Sequence, residues 1–420
     1  MSLLKGRVIG SGAAGNKAAI TLIEEGVVDM QDVLLVNSTI KDIPEKYHNI
    51  SVVLSEDSSE GCGKERDRAQ KLIARAIQSS RLDLDGFVGR DTDLTILIGS
   101  TAGGTGSGSV PIMASYIRNF IDTTDDYDED DDEYFRANVH VIGLKGFGID
   151  GREYQNTIEF FKDIEENFTV ECIDNSKFLD EARNSRPTAE KLANQEVVRR
   201  VRTLLGLNYV NSEQNIDKKD QYKAVTIPGF MTVEHFDILD KIKNVQEFND
   251  ICVSIVDETK SLTTTPTQKR LAVILNIPKA CEQYIDYDFA IFKERLGFPY
   301  EVFTQLQFCE DTKQEAYIEI ISSGLQMPIE ELERLYEEYK VASSKVNKSQ
   351  DGFYDFMKKI QGNAEDGMFN SDVANAKPKK DKAAFLNSLA GKSKSKNVTT
   401  EQVKKENNKD TNKTDKSNKF

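Results

Sequence analysis

Short aliphatic and β-branched runs recur through roughly the first 180 positions, and between them the apolar residues return at helical spacing. Residues 7–9, 33–36, 94–98 and 139–142 read as strands buried on both faces. Segments 16–25, 65–77 and 110–120 read as helices. Strand alternating with helix predicts a parallel α/β sheet with a Rossmann-like winding. A longer helix is predicted over about 189–205, where Val197, Val198, Val201, Leu204 and Leu205 make one apolar stripe. Such a helix spans roughly 25 Å, enough to cross one domain and join it to the next.

A second, smaller α/β block follows over 223–343, with strands expected at 271–277, 300–308 and 316–321. Its closing helix starts at Pro328, a residue suited to a first helical position, and sets Ile329, Leu332, Tyr336 and Tyr339 on one face. The chain thus divides into 1–186, a central helix and loop at 187–222, the block 223–343, and a tail at 344–420. Residues 375–420 are mostly Lys, Asn, Ser and Thr and are expected to be disordered, apart from a helix-forming stretch at 383–389 suited to docking on a partner.

Composition narrows the chemistry. The formal charge of −15 is uneven: 122–133 reads DTTDDYDEDDDE, whereas the tail is rich in lysine. An acidic body argues against direct DNA binding by the folded part, because phosphate contacts need clustered Lys and Arg. Five scattered cysteines without a CxxC pair suggest reduced thiols, and three histidines (His48, His140, His235) offer little for a metal centre or histidine catalysis. With no apolar run long enough to cross a bilayer and no leader-like start, a cytoplasmic protein without direct membrane binding is expected.

Two glycine-rich turns carry the candidate chemistry. The first, Gly10-Ser11-Gly12-Ala13-Ala14-Gly15, closes the first strand and opens a helix that includes Asn16. Such a turn lets backbone amides and a helix dipole meet a phosphate. It is common in NAD enzymes, but these place an acid after the second strand, where this chain has Asn37-Ser38. The second turn is denser: Ser100-Thr101-Ala102-Gly103-Gly104-Thr105-Gly106-Ser107-Gly108 follows the strand ending near Ile98. So many glycines and hydroxyls make sense as a nest of N–H groups around an anion. Neither turn contains a phosphate-binding lysine.

At this second turn the chain resembles the tubulin/FtsZ superfamily, whose signature is GGGTG[ST]G, and the resemblance runs over about 340 residues. Glu60-Gly61-Cys62-Gly63-Lys64-Glu65-Arg66 stands where that family has the loop approaching the terminal phosphate. Residues 145–152, with Asp150 and Arg152, look like its ribose loop, although Gly146 replaces a proline. Asn175 lies in a stretch similar to its PNDKL turn, and Asn194 matches the asparagine that reads guanine. Asn215, Asp217 and Asp220 fit the family's NxDxxD loop, which serves the nucleotide of a neighbouring subunit by orienting water.

The resemblance implies a GTPase that binds GTP or GDP with Mg2+, polymerises head to tail, and hydrolyses GTP at the subunit contact. Ala102 in the signature, the EGCGKER loop and the basic tail are similar to TubZ, the plasmid and prophage partition tubulins. That branch implies a DNA-binding adaptor of the TubR type on the C-terminal region and only indirect contact with DNA. Alternatives are a phage spindle tubulin, an FtsZ-like division protein, for which no apolar anchor-binding peptide is evident at the C-terminus, a filament scaffold without hydrolysis, and an NAD-binding Rossmann enzyme.

Overall fold

The computed structural model describes residues 2–55, 60–89, 91–121, 138–148, 150–164, 168–207, 209, 215–237, 242–262, 270–285, 299–309, 316–326 and 329–343, without the side chains at 256, 258–262, 329–332 and 342–343. The acidic run 122–133, Pro328 and the tail beyond 343 lie outside the described residues.

Six parallel strands form the first part of the sheet: β1 (Gly6–Ser11), β2 (Val33–Asn37), β3 (Ser51–Val53), β4 (Leu94–Ser100), β5 (Val139–Lys145) and β6 (Thr169–Asp174). Their spatial order is 3-2-1-4-5-6, so the winding reverses between β1 and β4. Both strands end there in a glycine-rich turn, and a reversal of this kind opens a crevice at the carboxyl ends of the strands. Helix α1 (Gly12–Glu24) covers one face, and α2 (Arg66–Gln78), α3 (Leu84–Val88), α4 (Thr105–Phe120) and α5 (Gly151–Ile164) cover the other.

Helix α4 begins five residues before the apolar spacing announces it, because tertiary packing overrides the poor helix propensity of Gly and Ser. The Ser109 hydroxyl donates to the Thr105 carbonyl at 2.7 Å. A Cβ on Gly108 would lie 2.6 Å from the Arg66 carbonyl oxygen, so α2 sits directly on the glycine. Pro111 has no N–H to give the Ser107 carbonyl four residues earlier. That carbonyl accepts instead from Nε of the buried Arg66 at 3.1 Å, while Arg66 Nη2 holds Asp163 of α5 at 2.6 Å.

The central helix α6 (Arg186–Leu204) starts with Pro187 in its first turn and buries Ala189, Ala193, Val197, Val198 and Val201 against α1 and the sheet. Beyond it come α7 (Lys218–Val225), β7 (Gly229–Asp237), α8 (Val245–Leu262), β8 (Arg270–Pro278), β9 (Glu301–Cys309), β10 (Tyr317–Leu325) and α9 (Ile329–Ser343). Strand β7 joins β6 through the pairs Thr169–Gly229 and Val170–Phe230, so the sheet continues as β7-β10-β8-β9. Helix α9 returns to the first part, with Leu335 and Tyr336 buried in the same core as Phe160 and Phe161 of α5.

Ion pairs on α6 lock the two parts together. Arg200 Nη1 meets Glu171 of β6 at 2.6 Å, and Glu171 also takes the buried His140 of β5 at 2.7 Å. The preceding residue, Arg199, places Nη1 on Glu319 of β10 at 2.6 Å, and the Thr203 hydroxyl donates to the same carboxylate at 2.7 Å. Glu196 binds both arginines; burial opposes its ionisation, yet the arginines bring its pKa down to about 2. Glu171 is also held below its ordinary value, with burial opposed by Arg200 and His140.

Both carboxylates therefore contribute stability that is fully present above their unfolded pKa near 4.5 and is lost as the pH falls through their lowered folded values, about 2 for Glu196. Replacing Arg200 by Met takes from the buried Glu171 its arginine partner and leaves Glu196 with Arg199 alone. Urea unfolding near neutral pH should show a loss of about 3–5 kcal/mol, and the variant should lose less additional stability than the parent between about pH 5 and pH 3.

Candidate nucleotide site

The crevice between β1 and β4 is a cavity of about 570 Å³. Its floor is backbone. Gly12 has φ +73°, a conformation that a side chain would strain, and a Cβ there would lie 3.0 Å from the Gly106 nitrogen. A Cβ on Gly106 would lie 2.7 Å from the Ser100 nitrogen and 3.0 Å from the Ser11 carbonyl oxygen. The hydroxyls of Ser11 and Ser109 pair beneath at 2.6 Å, and those of Ser38 and Thr105 pair at 2.9 Å. Helices α1 and α4 both open here without a side-chain cap or an acid in the first turn. Two positive helix ends thus converge, which suits an anion.

One wall is the loop carrying Gly61, Cys62, Gly63 and Lys64. The buried Asn156 of α5 fastens it: Nδ2 lies 3.1 Å from the Lys64 carbonyl, 3.0 Å from that of Ala102 and 3.2 Å from that of Gly103. Lys64 Nζ donates to Asp150 at 2.8 Å and to Glu153 at 2.9 Å. The opposite end is formed by Asn175, Arg186, Glu190 and Asn194 with Phe147. Arg186 stacks over the Phe147 ring at 5.6 Å, and Lys17 of α1 bridges to Glu190 of α6 at 3.2 Å. Asn175 is buried, and its Oδ1 has no hydrogen-bond partner. An orphaned acceptor in a cavity wall is costly unless a ligand satisfies it.

Of the positions expected from sequence, Gly12, Ala13, Asn37, Gly61, Gly63, Ala102, Gly103, Gly104, Thr105, Gly106, Asn175 and Asn194 line this cavity. Gly10, Ser11, Asn16 and Ser107 are buried or packed behind the lining: Gly10 abuts the Gly15 carbonyl, and Asn16 Nδ2 reaches the Val36 carbonyl at 3.4 Å. Asp150 acts through Lys64, and Arg152 is exposed beside it. Lys17, Lys64, Glu153, Phe147 and Arg186 line the cavity without having been given individual roles, because their side chains arrive from five separate segments: α1, the loop before α2, the loop after β5, α5 and α6. Lys64 was visible in the loop match, but its partners are 86 and 89 positions away.

Asn215, Asp217 and Asp220 are elsewhere. They stand at the start of α7, where Asp217 accepts the Asp220 N–H at 2.8 Å as the helix cap. Lys218 between them reaches Asp93, which precedes β4, at 2.8 Å. The cavity lies beyond the other end of β4, a strand of seven residues that separates the two by roughly 20 Å. Burial raises the Asp220 pKa above its ordinary value, and the neighbouring Asp217 charge adds to this.

Solved structures share this architecture. A GTPγS-bound protofilament of CetZ2 from Haloferax volcanii superimposes with TM-score 0.63 at 17% identity, over 81% of this chain and 100% of that one. A GTPγS-form protofilament of TubZ from Bacillus thuringiensis serovar israelensis gives 0.62 at 18% identity, over 82% and 94%. TubZ of Clostridium botulinum phage c-st gives 0.56 at 17% identity, over 82% and 99%.

The chain has the tubulin/FtsZ fold. At these identities the tubulin/FtsZ likeness is one of architecture. No family model matches the sequence, and no curated protein matches it either.

The glycine floor generates a prediction that needs no ligand. Gly106→Ala forces a Cβ against two backbones that cannot yield independently, and should cost about 1–3 kcal/mol in chemical denaturation of the nucleotide-free protein. An equally stable variant would mean that the two turns are not in contact.

Proposed function

We propose that this protein is a GTP-dependent filament former whose copies join head to tail and hydrolyse GTP at each contact. One arrangement carries the reading: the phosphate-binding floor and the acids Asp217 and Asp220 stand at opposite ends of β4. A single copy cannot bring them together. A second copy stacked along the strand direction can.

In this reading the amides at the starts of α1 and α4 take the phosphates, and Asn175 and Asn194 take the base. Each asparagine amide can both donate and accept toward a base edge. Among the described residues no acidic or thiol cluster offers a metal cage. Phosphate oxygens and water would therefore hold Mg2+, which when bound neutralises phosphate charge. Asn215, Asp217 and Asp220 of the next copy would orient the attacking water, since phosphoryl transfer asks a protein mainly for positioning and charge stabilisation. The cargo we assign is plasmid or phage DNA, reached through a DNA-binding adaptor on the C-terminal region. Among the described residues no helix is long and apolar enough to cross a membrane.

Asp217→Ala and Asp220→Ala should each lower GTP hydrolysis by about a hundredfold or more while nucleotide binding and sedimentable polymer remain. Phosphate release measured beside sedimentation checks this. Full activity in either variant removes that acid from the mechanism, and loss of binding gives it a role within its own subunit.

A further inference from the structure

Ile216, the residue before Asp217, is buried in the same apolar cluster as Val201, Leu204 and Tyr222. Its side chain holds the loop by packing alone. Its backbone needs a partner of another kind, because a peptide N–H taken out of water is costly without an acceptor.

That acceptor is Gln305 of β9, 89 positions away in sequence. Gln305 Oε1 takes the Ile216 N–H at 2.8 Å, and Nε2 of the same amide donates to Asn215 Oδ1 at 3.5 Å. Gln305 is 1% exposed, and Phe303, on the same face of the strand, packs against the cluster that holds Ile216. An apolar residue would be the ordinary occupant of such a position. A buried glutamine is favourable there when both ends of its amide are used, and both are used on adjoining residues of one loop.

Two other fastenings meet the same stretch of chain. Lys218 reaches Asp93 Oδ1 at 2.8 Å, and the other oxygen of Asp93 accepts the Lys5 backbone N–H at 2.7 Å. The lysine side chain is 62% exposed, so water competes for that pair. Gln221, buried directly after Asp220, donates to the Thr203 and Leu204 carbonyls at 2.7 and 2.9 Å. Gln305 differs from both: it acts on the residues that lead into Asp217, and its bond to Ile216 is shielded from solvent.

We propose that Gln305 is a positioning residue for hydrolysis: its amide sets the backbone at Asn215 and Ile216, and through it the direction in which Asp217 and Asp220 face the neighbouring copy. The inference rests on the assignment of those acids to GTP hydrolysis. The Cα atoms of Ile216 and Asp217 are about 3.8 Å apart, so a shift at the clamped peptide passes directly to the acid. Asp217 caps α7 through the Asp220 N–H, which makes the second acid follow the first. Phosphoryl transfer depends on placement, and an error of about 1 Å can cost about a hundredfold. The nucleotide cavity of the same copy lies roughly 20 Å from the acids, so its affinity does not depend on this bond.

The experiment compares full-length Gln305→Leu, Gln305→Glu and Asp217→Ala with the parent. Phosphate release at saturating GTP is divided by the amount of sedimented protein, and GTPγS affinity is measured by calorimetry. Leucine suits the apolar surroundings but leaves the Ile216 N–H without its acceptor. Release per polymerised subunit should fall about tenfold or more, with GTPγS affinity within about threefold of the parent. Glutamate restores an acceptor oxygen at the same reach, and the Asn215 amide can turn its Nδ2 toward the carboxylate, so most of the rate should return. Parental release from the leucine variant overturns the proposal. So does an equal loss in the leucine and glutamate variants, or a loss of GTPγS affinity that matches the loss of rate. Parental release from Asp217→Ala, or no release from the parent protein, overturns the assignment of the acids and the proposal with it.

Discussion

Backbone-to-backbone contact between the two glycine turns is the constraint from which the site follows. A side chain at Gly12 would crowd the Gly106 nitrogen and one at Gly106 would press on the Ser100 and Ser11 backbones, and this contact occurs where the sheet reverses direction. With no side chain between them, two helices begin side by side with uncapped amides facing one hollow. The rest of the region is arranged around that contact. Helix α2 rests on Gly108, Arg66 replaces the hydrogen bond that Pro111 cannot make, and Asn156 gathers three carbonyls to hold the adjoining loop. Arg66 and Asn156 are buried polar groups satisfied by named partners, which holds so irregular a stretch of chain in place.

The second constraint is the ion-pair chain on α6. Glu171 and Glu319 are almost wholly buried, and they pair with the adjacent arginines Arg200 and Arg199. Removing Arg199 or Arg200 takes a charged partner from a buried carboxylate, whereas the members together balance one another. The pairs tie β5 and β6, which end near the cavity, to β10, whose neighbours carry the second part of the sheet. Any reorientation of one part against the other would have to carry these charges along together.

Much of the fold could be read from the sequence because the buried parallel strands are continuous apolar runs and the helices between them keep their period. The expected strands in both parts are present, and the helix expected over 189–205 is α6. What escaped did so for physical reasons. Strand β6 contains Glu171 in the middle, a charge that makes sense only opposite His140 and Arg200 from distant segments. Strand β7 is interrupted by Glu234 and His235 in the same way. The early start of α4 depends on α2 needing no side chain at Gly108. At the site, the glycine floor was legible because spacing alone defines it. Of the walls, Gly61, Gly63, Asn175 and Asn194 were legible through motif matches, whereas Lys17, Glu153 and Arg186 were not, since they reach the cavity only after folding.

The account stands or falls on whether the hydrolytic centre is shared between copies. Phosphate release per subunit, measured with GTP over a wide range of protein concentration, addresses that point most directly. A centre completed by a neighbour predicts almost no release below a critical concentration and a rate per subunit that climbs steeply once contacts form. A rate per subunit that stays constant down to the highest dilution would show that one chain holds the whole centre, and would contradict the account.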